Sequence, residues 1–120
     1  MKIAVTSSGN ELISDIGPRF GRSRCFIIVD PQTFEYDIAE NKQNSSLPQG
    51  AGIQAAKTIV DQQADVLISG NCGPKAFKEL MGAGIKIVTG ARGRVIDAVI
   101  QYQSGQLMPV DGPNVEGHWA

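Results

Sequence analysis

Histidine is almost missing from this chain: His118 is the only one in 120 residues, and it sits beside Trp119 in the last stretch of the sequence. A nucleophile–base pair most often uses a histidine, so hydrolytic catalysis of that kind is disfavoured. Cysteine is scarce as well. Cys25 and Cys72 are the only two, and they lie far apart on what read as different elements, so a disulfide framework is not expected and both should be thiols. No apolar run approaches the roughly 20 residues that a membrane span needs. Met1-Lys2 leads straight into Ile3-Ala4-Val5 without the charged-then-apolar layout of a signal peptide, so the expected compartment is the cytoplasm. Neither sign of charge predominates, with 11 basic against 12 acidic residues and a net charge of −1. That balance argues against a general nucleic-acid binder. Internal repeats and low-complexity tracts are also absent.

What is present is one domain's worth of chain. With 42% hydrophobic residues it can bury roughly two thirds of its unfolded surface, and a second domain does not fit. The organising stretch runs from Val66 to Val88. Val66-Leu67-Ile68 reads as a buried strand, Ser69 to Gly73 as a turn, and Pro74 as the first position of a helix. Gly82 and Gly84 let that helix stop before Ile85-Lys86-Ile87-Val88 forms a second strand. Phe77, Leu80 and Met81 share a helical stripe and are expected to cover the sheet. In such a βαβ unit the strands are parallel, and ligands bind at the loops leaving their carboxyl ends.

Around this unit, Lys2 to Thr6 reads as a first strand and Cys25 to Asp30 as a second. Pro31-Gln32-Thr33 reads as a tight turn, and Phe34 to Ile38 as a half-exposed third strand that completes a hairpin. The connection from Ser7 to Arg24 is long, and within it Gly9 to Gly21 is expected to be the most mobile internal segment, with few apolar anchors to offset ordering entropy. Asn41 to Gly52 reads as a loop leading into a helix from about Gly50 to Gln63, with Ile53, Ala56 and Val60 as its buried face. Arg94 to Ser104 reads as a last helix with Val95, Ala98, Val99 and Tyr102 on one face and Gly105 as its C-cap. The domain is expected to span residues 1–107, followed by an irregular tail over 108–120. The expected architecture is α/β: a mixed five-stranded sheet in the order 3-2-1-4-5, strand 2 antiparallel, with helices on both faces.

Several short motifs in this order are similar to the dinitrogenase iron-molybdenum cofactor biosynthesis family. They are Lys2-Ile3-Ala4-Val5, Gly17-Pro18-Arg19-Phe20-Gly21-Arg22, Gly70-Asn71-Cys72-Gly73-Pro74 with Ala76-Phe77, Ala83-Gly84-Ile85, and Thr89-Gly90-Ala91. The resemblance implies a ribonuclease-H-like three-layer fold. It also implies a role as a carrier of iron-molybdenum cofactor or its precursors, working with cofactor donor or acceptor proteins. One relative in that family carries a molybdenum-copper sulfide cluster. Many members have His-Phe-Gly in the first long loop, the His being a proposed cluster ligand, where this chain has Arg19-Phe20-Gly21. Arginine stays protonated and offers no lone pair, so metal ligation at that position is lost. The fold's nuclease chemistry is not expected to accompany it, because Ala4, Val5, Ile68 and Ser69 supply no carboxylates for a two-metal site.

All five arginines, Arg19, Arg22, Arg24, Arg92 and Arg94, fall in or beside two loops that this topology places on one edge, and Lys75 lies close to a third. Two helix N-termini add backbone donors, so the edge reads as a rim that attracts an oxoanion or an anionic metal–sulfur cluster. The plainer reading is a solvated surface with Glu11 and Asp15 nearby. Cys72, in a glycine-flanked turn before a helix, reads either as an exposed thiol of lowered pKa able to ligate a soft metal, or as a small turn residue without chemistry. Cys25 begins an apolar strand and reads as core, and His118 reads as a tail residue. The expected binding set is Ser8, Arg19, Phe20, Gly21, Arg22, Asn71, Cys72, Gly73, Gly90 and Arg92, with Cys72 as the metal ligand. The leading expectation is a non-catalytic carrier or scaffold for an anionic iron-molybdenum-type metal–sulfur cofactor. The alternatives are a small-molecule or oxoanion-binding regulatory module without metal, and a plain interaction domain.

Overall fold

Unbroken apolar runs at residues 3–5, 25–29 and 66–68 give this sheet two buried faces. The computed structural model describes residues 1–41 and 50–114. It contains β1 (Ile3–Ser7), β2 (Cys25–Val29), β3 (Tyr36–Glu40), α1 (Ala51–Asp61), β4 (Val66–Ile68), α2 (Pro74–Gly82), β5 (Lys86–Val88) and α3 (Val95–Gln103), with a 3-10 turn at Phe20–Arg22. The strands pair in the order β3-β2-β1-β4-β5. β2 is antiparallel to β1 and β3, whereas β1, β4 and β5 are mutually parallel, as the sequence pattern requires.

Ala4, Phe26, Ile28, Leu67 and Ile87 point to one face, where they meet Ala55, Ala56 and Ile59 of α1 and Phe77 and Leu80 of α2. Their chain neighbours Ile3, Val5, Ile27, Val29, Val66, Ile68 and Val88 point to the other, where Val95, Ala98 and Val99 of α3 cover them. Every residue of β1, β2 and β4 is therefore buried, and the layers are helix pair, sheet, helix.

Three local expectations need correction. The hairpin turn is longer than Pro31 to Thr33. Phe34 takes a left-handed backbone with φ 61° and donates its N–H to the Asp30 carbonyl at 2.8 Å. The third strand therefore begins at Tyr36 rather than Phe34. On α1, Val60 is exposed and Ile53 only half-buried, while Ala51, Gly52, Ala55, Ala56 and Ile59 are buried. The small side chains set the buried face because α1 packs closely against both α2 and the 3-10 turn. On α2, Met81 is 48% exposed and Ala76 takes the inward position instead. Beyond α3 the chain stays close to the core. Residues 106–114 form neither helix nor strand, but Val110 donates its N–H to the Ile87 carbonyl at 2.8 Å and packs on the first core. The loop expected around Pro48, and His118 with Trp119, lie outside the described residues.

Candidate functional site

The carboxyl ends of β1, β4 and β5 and the start of β2 share one edge of the sheet, so the connections 8–24, 69–73 and 89–94 meet there. Main-chain hydrogen bonds lace these connections together. Asn71 donates its N–H to the Pro18 carbonyl at 2.7 Å, and Phe20 donates to the Asn71 carbonyl at 2.9 Å. Arg19 and Asn71 thus face each other as a two-residue parallel bridge. On the other side, Gly90 donates to Gly70 at 2.6 Å and Ala91 to Ser69 at 3.1 Å. Gly70 must be glycine for this lacing, because a Cβ there would stand 2.7 Å from the Pro18 carbonyl oxygen. Under the rim, the buried Thr6 hydroxyl donates to the Gly17 carbonyl at 3.1 Å and lies 3.4 Å from the Ser69 hydroxyl, so the strand ends are tied by satisfied polar groups.

The first connection is far better anchored than its glycines suggest. Ile16 donates to the Gly93 carbonyl at 2.8 Å, Gly17 to Thr6 at 3.0 Å, and Val95 and Ile96 donate to Ser14 and Leu12 at 2.9 Å each. Phe20 is fully buried and its ring lies 5.4 Å from that of Phe26. Buried Asn41 holds the 3-10 turn, donating through Nδ2 to the carbonyls of Ser23 at 2.8 Å and Gly21 at 3.3 Å. The reason given for expecting a loose Gly9–Gly21 segment, a lack of anchors, therefore does not apply.

Of the expected set, Arg19, Asn71 and Gly90 come together at the rim, with Gly73 as N-cap of α2 beside them. Arg92 is exposed on the third connection and Arg22 half-buried at the end of the 3-10 turn. Phe20 and Gly21 belong to the core side, so only their backbone borders the rim. Ser8 is turned to its own loop, donating through both its N–H and its hydroxyl to the Asp15 carbonyl at 2.9 Å. Arg94 forms an exposed ion pair with Asp97 of its own helix at 2.9 Å.

Cys72 departs most from expectation. It is wholly buried in the first core. Burial pushes its thiol up to about 12, the reverse of the activated thiol its place before a helix suggested. Desolvation disfavours the thiolate more than the α2 N-terminus favours it. Cys25 is buried as expected, and its pKa is also raised, first by burial and then by the nearby Glu40 carboxylate. Among the described residues no group of three or more His, Cys, Asp and Glu side chains converges to hold a metal. Among the described residues the rim therefore offers charge and hydrogen-bond donors rather than a converging set of metal ligands.

Asn114 carries no mark in the sequence. It accepts a hydrogen bond from the Cys72 N–H on Oδ1 at 2.8 Å. Its Nδ2 donates to Oδ1 of Asn71 at 3.0 Å, and its own N–H donates to the Cys72 carbonyl at 3.3 Å. Its partners are more than 40 positions away in the chain, so no local pattern could have marked it.

Among known proteins, the structure of the apo form of the orange protein from Desulfovibrio gigas superposes with a TM-score of 0.92 at 39% identity, covering 95% of this chain and 96% of that one. A NifB-like protein from Thermotoga follows at a TM-score of 0.82 and 29% identity, covering 97% and 98%. An uncharacterized protein of Methanocaldococcus jannaschii is 28% identical over 110 residues, 89% of either chain. The sequence profile of the dinitrogenase iron-molybdenum cofactor family matches residues 1–105. With that match spanning nearly the whole described domain, and with the fold shared by these relatives, the chain belongs to the dinitrogenase iron-molybdenum cofactor family.

Proposed function

We propose that the chain is a cytoplasmic, non-catalytic carrier or scaffold for an anionic metal–sulfur cargo of iron-molybdenum type, which it takes from donor proteins and passes to acceptors. The observation that supports this reading is the main-chain bridge between Arg19 and Asn71, which brings a cationic residue and a carboxamide residue to the same point of the rim. Membership of the family supports the class of cargo. Arg22 and Arg92 add charge around this point, and Ser8, Phe20, Gly21, Gly73 and Gly90 would contribute through backbone and shape. Cys72 is the one soft ligand in the set, but its thiol is buried and protonated, so holding cargo by charge needs no bond from it.

The burial of Cys72 also favours a second reading, an oxoanion-binding regulatory module without metal. Anaerobic purification followed by metal analysis and a visible absorption spectrum separates the two. For the carrier, Arg19→Ala should weaken uptake of tetrathiomolybdate by the worth of one charge-assisted contact, about 1.5–3 kcal/mol. Cys72→Ser should leave uptake unchanged. Loss of uptake in Cys72→Ser would instead establish a thiolate bond, and a protein that neither retains nor takes up metal would leave only the oxoanion module.

A further inference from the structure

The tail does more than end the chain. After α3 the backbone returns along β5, where Val110 is pinned by its N–H to the Ile87 carbonyl at 2.8 Å and by packing on the first core. Four residues later Asn114 reaches the rim and engages Asn71 and Cys72 through three hydrogen bonds, two of them from its side chain. Asn114 is itself exposed, so these bonds are not forced on it by burial. A carboxamide oxygen at 2.8 Å from the Cys72 N–H occupies a donor at the entry to α2, where an anion's oxygen or sulfide would otherwise be received. The Asn71 carboxamide, next to Arg19, is engaged by the same residue.

We propose that residues 106–114 form a strap whose Asn114 latch competes with anionic cargo for the Asn71–Cys72 edge of the rim. Binding and release of cargo are then coupled to undocking and redocking of the tail. The competition rests on the carrier reading above; the latch itself does not. Two variants separate a strap from a purely local contact. Asn114→Ala removes the side-chain latch. Val110→Pro removes the N–H that pins the strap to β5, away from the rim.

Hydrogen exchange at the Cys72 amide reads the latch directly. Both variants should exchange faster there than the parent, and an unchanged rate in Val110→Pro would overturn the strap. Spectrophotometric titration with tetrathiomolybdate reads the competition. Both variants should bind roughly two- to tenfold more tightly, the effect of removing one competing hydrogen bond. Equal or weaker binding in the variants would overturn competition and make Asn114 a support for the loop. If neither parent nor variants bind the probe, the carrier reading falls together with the competition, while Cys72 exchange still decides whether the tail is latched.

Discussion

Arg19, Gly70 and Cys72 show how differently neighbouring positions in one rim are constrained. Gly70 is fixed by space: a methyl group there meets Pro18 backbone rather than a flexible side chain, so the two loops must part. Gly70→Ala should cost about 1–3 kcal/mol in denaturant unfolding and weaken anion binding in parallel. Cys72 is fixed by burial, and this has a pH signature. Its folded-state pKa is raised from 9.0 to about 12, so its contribution to stability is fully present below about pH 9 and is lost as pH rises towards 12. In that window the unfolded chain has already released the proton that the folded chain keeps. Melting temperature should therefore fall between these limits more steeply for the parent than for Cys72→Ala. Equal slopes would show that the thiol is not desolvated. The backbone of Arg19 is held by its bridge to Asn71, and no described group of metal ligands surrounds that position. Arg19→His should thus take up no more metal on anaerobic reconstitution than the parent does.

The elements divide into those a periodic pattern could reveal and those that depend on contacts distant in sequence. The five strands and their order were readable because unbroken apolar runs and the hairpin turn are local signals and crossovers are right-handed. Helix faces were less so. Ile53, Val60 and Met81 fit a helical stripe as well as the residues that displaced them, and the choice was made by how closely α1 and α2 approach each other and the sheet. The connection between β1 and β2 departs from its local signals for a related reason. Its glycines indicate freedom in isolation, but its amides are bonded to Thr6, Asn71 and Gly93, which lie on other segments. Native-state hydrogen exchange should accordingly show Ile16, Gly17 and Phe20 protected well above the exposed Glu11 and Ile13. Protection no better than that of Glu11 would restore the expectation of a loose loop. That the arginine-bearing loops share one edge was legible because topology alone decides it, whereas the contacts of Asn114 required the path of the tail.

At the scale of the whole molecule, two cores are built on opposite faces of the same few strands. Ala4 and Leu67 belong to one core, while their chain neighbours Val5 and Ile68 belong to the other. Neither core can dissolve while the strands remain paired, because the backbone that orients one set of side chains also orients the other. The rim takes its geometry from the ends of those strands and from helices on both faces, so it should persist for as long as the sheet does. Truncation on either face is then expected to lower the same transition. Leu67→Ala removes volume from the core beneath α1 and α2, and Val99→Ala removes it from the core beneath α3. Each should reduce unfolding free energy, by about 2–5 kcal/mol for the leucine and less for the smaller valine, with no change in denaturant slope. Far- and near-ultraviolet circular dichroism should report one coincident transition in both variants. A second transition, or a fall in slope confined to Val99→Ala, would mean that the α3 face unfolds as a separate unit and that the loops it anchors at Leu12, Ser14 and Gly93 can open without the sheet.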